Sequence, residues 1–318
     1  MKRLLLVLFL FPLAILPAQE SVQQALRLVE ANDPDGARAM LTRIVDANDA
    51  NPDAHFQLGK LLLDHLRDLD GAEEHLERAV ELADNRADYH FTLGRAYGAI
   101  AQNGSIFTGM KYAGKVRSEF VRAVELEPDN VTYRTGLMRY YIQAPSIAGG
   151  SAGKAREQAD AILRINDYEG HMAYAFIAAY ANDQQSAEKE YRAAIAADSK
   201  RPLAHFRLGY VYLGQKRIDE AIAQFREYVR YAPDDPNSHD SLGEALLEKG
   251  LFDDALQEYR KALALNPNFS SSFYGTARCY EGKGMKDEAL SSYRKYVSFN
   301  PTGESAERAR NRVNELEK

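Results

Sequence analysis

Four histidines, His55, His90, His205 and His239, stand at one offset, each three residues before a Leu-Gly pair. Imidazole is the commonest metal ligand, so four in register invite a metal reading. Three acidic pairs, Asp219-Glu220, Asp253-Asp254 and Asp287-Glu288, also repeat, and paired carboxylates can act as general acid and base. The run Gly149-Gly150-Ser151-Ala152-Gly153-Lys154 has the look of a phosphate cradle. Ala148 stands where a P-loop has its first Gly, Ala155 replaces the Ser or Thr after the Lys, and no strand precedes it. A flexible loop between helices is the better account. Cys279 is the only cysteine, which rules out an internal disulfide, and its place inside a helical stretch makes it a small core residue rather than a reactive thiol.

The positions of the His and acidic sets follow from the elements that carry them. A block of 34 residues recurs at Pro202–Asp235, Pro236–Phe269 and Ser270–Gly303. Superposed, the blocks align Leu208-Gly209 with Leu242-Gly243, Tyr212 with Leu246 and Tyr280, Ala221 with Ala255 and Ala289, and Phe225 with Tyr259 and Tyr293. Pro233, Pro267 and Pro301 close each block, and the residue before a proline is driven out of the α region, which ends a helix. Upstream the same marks persist with distortions. Leu58-Gly59, Ala72, Leu76 and Ala79 form a unit one residue longer between its helices, and Leu93-Gly94, Tyr97, Phe120 and Ala123 form the next. About ten extra residues lie in that second unit near 100–115, read as a loop on its Gly104, Gly109 and Gly114. A third unit carries Leu137, Tyr141, Ala155 and Ala159 with a smaller insertion near 143–154, and a compact fourth spans Tyr168 to Ser199.

These small, aromatic and proline positions resemble the tetratricopeptide repeat (TPR), a pair of antiparallel helices stacked into a superhelix. The resemblance implies an all-α solenoid divided into a degenerate first helix pair at 19–51, divergent units at 52–199, three regular units at 202–303 and a charged capping helix at 304–318. In such a solenoid equivalent residues lie roughly 20 Å apart, twice the helix packing distance, so the four histidines cannot meet on one ion and are expected to pack. The acidic pairs fall at the start of each second helix, where a carboxylate favours the helix dipole. No metal, cofactor or catalytic constellation is expected.

In TPR proteins the first helices line a concave groove that holds peptide or protein segments. Carried onto this chain, the groove would include Phe56 and Lys60, Phe91 and Arg95, Thr135 and Arg139, Phe206 and Tyr210, Asp240 and Glu244, and Tyr274 and Arg278. An aromatic followed one turn later by a cation occurs at Phe56/Lys60, Phe91/Arg95 and Tyr274/Arg278, a pairing suited to acidic or aromatic segments. The Lys and Asn clamp of chaperone-binding TPR proteins is missing at the corresponding positions, so capture of a chaperone tail is not implied.

Lys2 and Arg3, the apolar run Leu4–Leu16 and Ala18 read as a secretory signal peptide over residues 1–18. Removing Lys2 and Arg3 from the 40 cations leaves 38 against 46 acidic residues, a net charge of −8, which argues against a nucleic-acid partner. No later apolar stretch has membrane length, so no membrane insertion is expected after cleavage. The expectation is a non-enzymatic periplasmic or secreted scaffold that binds another protein. The competing one is a small-ligand-binding accessory protein working with a transporter.

Overall fold

The computed structural model describes residues 21–318, and among these it holds seventeen α-helices and no strand. In chain order they are α1 (Val22–Glu30), α2 (Pro34–Ala47), α3 (Pro52–Leu61), α4 (Leu69–Leu82), α5 (Ala87–Asn103) and α6 (Ile106–Leu126). There follow α7 (Val131–Gln143), α8 (Ala152–Ile165), α9 (Asp167–Tyr180), α10 (Gln184–Ala197), α11 (Pro202–Gly214) and α12 (Ile218–Tyr231). The last five are α13 (Pro236–Glu248), α14 (Phe252–Leu265), α15 (Ser270–Gly282), α16 (Lys286–Phe299) and α17 (Glu304–Leu316). The signal peptide read in residues 1–18 lies outside the described residues. The chain divides into two compact units, one reaching Tyr133 and including Ala144–Gly149, the other formed by Arg134–Gln143 and Gly150–Lys318. In each, helices joined by short turns pack as antiparallel pairs and each pair lies against the next.

Local rules set the helix ends. Asp33, Asn51, Asp68, Ser105, Ser151, Asn166, Asp183 and Asp235 each accept a backbone N–H at the start of the following helix. Proline opens α2, α3, α11 and α13, where its missing N–H has no helical partner to lose. The second helices α12, α14 and α16 each stop two residues before Pro233, Pro267 and Pro301. Within most pairs the turn needs one residue in the left-handed region, met by Asn32, Asn182, Gly250 and Gly284 but also by Arg67 and Lys216, whose Cβ makes that conformation costly.

What spaces one pair from the next is an aromatic ring held between small residues. Phe225 of α12 lies so close to α11 that a Cβ at Gly209 would come within 2.5 Å of its ring. Tyr259 of α14 is flanked on both sides, since a Cβ at Gly243 would sit 2.9 Å from the ring and one at Gly275 only 2.2 Å. Tyr293 of α16 packs with Ala277 of α15 and Ala309 of α17, both fully buried. Ala309 stands 34 residues after Gly275, so α17 occupies the place of a further first helix and caps the last pair. Ala221, Ala255 and Ala289 are fully buried at the helix crossings, where larger side chains would push the axes apart.

Two departures from the repeat are accommodated within helices. The extra residue of the first divergent unit is absorbed by a π-helical turn at Leu62–Leu66, closed by the Asp68 N–H donating to the Leu62 carbonyl at 3.0 Å. The extra residues near 100–115 do not form the loop expected from their glycines. They lengthen α5 to 17 and α6 to 21 residues, with only Gly104 and Ser105 between. Ser105 caps α6, and the helix propensity of the intervening residues outweighs the single-glycine penalties of about 1 kcal/mol each. The smaller insertion forms a 3-10 turn at Ser146–Ala148 and a bend through Gly149.

Two substitutions check these constraints. Gly275→Ala should destabilise the second unit by about 2–3 kcal/mol through overpacking against Tyr259, read as a lower urea midpoint. Lys216→Gly should raise that midpoint slightly, by about 0.5 kcal/mol, because relief of left-handed strain exceeds the added entropy of the unfolded chain.

Candidate functional site

The histidines fasten the repeats. Nδ1 of His205 lies 2.9 Å from Gln224 on the second helix of its own pair, and Nε2 lies 2.9 Å from the Ser199 carbonyl in the preceding turn. His239 repeats this with Glu258 (2.6 Å) and the Pro233 carbonyl (3.1 Å), and His90 with Glu119 (2.6 Å) and the Asp84 carbonyl (2.8 Å). His55 bonds the Asp49 carbonyl at 3.1 Å and, through Nδ1, the Nδ1 of His75 at 3.1 Å. Each ring thus ties a first helix both to its partner helix and to the turn before it. His171, bonded to Glu190 at 2.8 Å, belongs with this set although no Leu-Gly follows it. Its spacing of 34 from His205 is the signal by which the sequence could have revealed it.

The other chemical candidates are equally occupied. Asp219 pairs with Lys249 and Asp253 with Lys283, linking successive repeats at the exposed turns. Such exposed pairs contribute little to stability. Ser151 accepts the Lys154 N–H at the start of α8, so its hydroxyl serves the helix rather than a phosphate. Burial pushes the Cys279 thiol up to about 11, leaving it protonated near neutrality.

The residues expected to line a groove fall into three kinds. Phe56 is buried and stacks on Tyr89 at 4.4 Å, and Phe91 is half-buried between Phe120 (5.3 Å) and Tyr133 (4.8 Å). Phe206 likewise packs edge-on to Tyr228 at 5.2 Å. Asp240 is buried, its carboxylate accepting from Ser272 (2.6 Å) and Ser271 (3.0 Å) of α15. Burial pushes that carboxyl up, with the two serine hydroxyls acting against the shift. These residues hold repeats together. A second group is exposed but paired: Lys60 (3.5 Å) and Arg95 (2.7 Å) converge on Asp64 in the π turn, a residue the sequence reading did not single out. Arg139 lies over the Phe176 ring at 4.9 Å.

The third kind faces open space on the first helices of the second unit. Tyr210, 37% exposed, donates to Glu244 at 2.9 Å. Beyond it Tyr274 and Arg278 line a cleft of about 500 Å³ with Leu247, Glu248, Phe252, Glu281, Gly282, Tyr293 and Arg312. Arg278 pairs with Glu248 at 3.0 Å, and Arg312 with Glu281, which also accepts from Tyr293 at 2.8 Å. Although burial opposes it, the Arg312 and Tyr293 bonds hold the Glu281 carboxyl below its ordinary value. The cleft therefore offers two cations, two carboxylates and aromatic walls, with no nucleophile activated by a base.

The tetratricopeptide repeat family model matches residues 22–87, 177–236 and 241–304, more than half of the chain. The chain belongs to the tetratricopeptide repeat family, whose members generally mediate protein–protein interactions through a non-enzymatic scaffold. Solved structures share the fold. One is a tetratricopeptide repeat protein from Parabacteroides merdae, 14% identical at a TM-score of 0.56, with 81% of this chain and 96% of that one covered. Another is the APC/C hetero-tetramer Cut9-Hcn1, 15% identical at a TM-score of 0.56 with 90% of this chain covered. The present chain spans 53% of the length of that match. No curated protein matches the sequence.

The histidine clamp makes stability depend on pH in the first unit. Burial lowers the His90 pKa, but the Glu119 and Asp84 bonds outweigh it and hold it above its ordinary 6.5. Its contribution is therefore complete below pH 6.5 and lost as pH rises through the raised value. The urea midpoint difference between wild type and His90→Gln should be larger at about pH 6 than at about pH 8.5; an equal difference at both would contradict the charged pair.

Proposed function

We propose that this chain is a scaffold of the cell envelope that binds a peptide or protein segment along the first-helix face of its second unit. The observation that carries this reading is the cleft of about 500 Å³ beside Tyr274 and Arg278, a paired aromatic and cation of the expected groove that line open space. Glu244 one repeat earlier and Tyr210 two repeats earlier extend the same face. The segment held there carries acidic and aromatic side chains. Its carboxylates exchange with Glu248 and Glu281 for Arg278 and Arg312, and its rings lie against Tyr274 and Tyr293. Because each incoming charge replaces an internal ion pair, specificity comes from geometry more than from net attraction, and rising salt weakens binding. The envelope location rests on the N-terminal run of Lys2, Arg3 and Leu4–Leu16, with export as a periplasmic or secreted protein.

The size of the cleft also suits a small ligand, which supports the accessory-protein reading as the competitor. Crosslinking in the native envelope separates the two. The Tyr274→Ala/Arg278→Ala variant should retain the helical circular dichroism of the wild type and lose most of the crosslinked partner, about fivefold or more. Undiminished capture would refute the groove assignment. A thermal shift of several degrees with a small molecule alone, reversed by the same variant, would favour the competing reading.

A further inference from the structure

The hairpin of α5 and α6 outreaches its neighbours. α6 has 21 residues against 14 in α4, so at about 1.5 Å per residue it runs roughly 10 Å further than a second helix of ordinary length. No other helix of the unit is long enough to cover that extension, and the side chains there show it. Ile106 and Phe107 are 82% and 83% exposed and Met110 is 56% exposed, all within the first two turns of α6. Ile147, 82% exposed, lies in the 3-10 turn that packs on the same helix. Among the described residues no other large apolar side chain exceeds 53%. A lone exposed leucine needs no explanation, but adjacent isoleucine and phenylalanine presented almost completely to water do.

Charge around these side chains is equally uneven. From Tyr89 to Ser118 the sequence contains no Asp or Glu, in a chain that has 46 of them and a net charge of −6. The same stretch carries Arg95, Lys111, Lys115 and Arg117. Arg95 is paired with Asp64, and Lys115 is held by Glu73 and Glu77 of α4, below the extension. Lys111 and Arg117 form no ion pair among the described residues and are exposed. An apolar end followed directly by the unpaired Lys111, in a stretch of sequence without Asp or Glu, matches an anionic lipid surface: apolar side chains enter the boundary between headgroups and acyl chains while the cation meets the phosphates.

We infer that the α5–α6 tip is a peripheral membrane anchor, in which Ile106, Phe107 and Met110 insert into the interface of an anionic bilayer and Lys111 contacts its headgroups. No helix of the described residues is long and apolar enough to cross a membrane, so the contact is interfacial. The acidic remainder of the chain is repelled by such a surface, which leaves the acid-free tip as the end that approaches it. This anchor is separate from the cleft beside Tyr274 and does not depend on what that cleft binds.

The test is flotation of the mature chain with vesicles of phosphatidylcholine alone or containing about a third phosphatidylglycerol. Wild type should float with the anionic vesicles and much less with the neutral ones. The Ile106→Ser/Phe107→Ser variant should lower the bound fraction roughly tenfold or more, and Lys111→Glu should lower it severalfold. Both positions of the double variant are almost fully exposed, so its circular dichroism and melting should match the wild type. Arg278→Ala should float as wild type does, which keeps this result distinct from the groove reading. Failure of wild type to float with either vesicle, or flotation of the double variant at the wild-type level, would overturn the proposal. So would a self-associated form in light scattering that the double variant abolishes without any lipid binding, since the tip would then be covered by a second copy.

Discussion

The whole architecture depends on how closely two helices can approach when one offers a ring and the other offers almost no side chain. Tyr259 shows the constraint most fully, with Gly243 on one side and Gly275 on the other. Where the ring is Phe225 and lacks a hydroxyl, the position corresponding to Gly275 is the buried Ser241. Where it is Tyr293, Ala277 and Ala309 flank it. Each aromatic is a spacer of fixed thickness, and the small residues set its seat, so the next pair can dock in only one register. In the first unit Gly59 against Leu76 and Gly94 against Phe120 play the same part with other rings and side chains. A chain with its single cysteine free fixes one pair against the next by packing of this kind, without a disulfide.

A second layer of specificity runs through polar groups that bridge repeats. The histidine rings join first helix, second helix and preceding turn. Asp240 spans to Ser271 and Ser272, Tyr210 to Glu244, and Arg278 to Glu248. Of these, the Arg278–Glu248 pair also lines the cleft, so the proposed binding residues are drawn in part from those that hold the repeats together. Under the proposed function, binding would compete with internal pairs, which favours selective over strong association.

The two proposed surfaces differ in how they arise. The cleft exists because α17 ends the series of pairs and sets Arg312 opposite Glu281, so a cap made of charged residues also furnishes the wall of a site. The exposed tip exists because one hairpin is longer than those around it, and residues that would be core in a taller stack have nothing to pack on. Neither needs a feature beyond the ordinary repeat, only its termination in one case and its extension in the other.

The amino-acid order alone determined the period, the helix ends and the small and aromatic seats, because these follow from short-range rules: helical periodicity, capping side chains, proline geometry and the volume of a residue at a crossing. Those rules also reached the resting state of the histidines, since stacked repeats hold equivalent positions apart. They did not reach Asp64 as the common partner of Lys60 and Arg95, the burial of Asp240, or the place of His171 in the clamp. Nor did they show that Gly104, Gly109 and Gly114 lie in or between long helices rather than in a loop. Only the tertiary structure decided the roles of Asp64, Asp240 and His171, because each depends on a group 19 to 32 residues away in the chain, brought within hydrogen-bonding distance by helix packing. Whether a cation is free for a ligand is a property of its neighbours in space, and a sequence lists neighbours only along the chain.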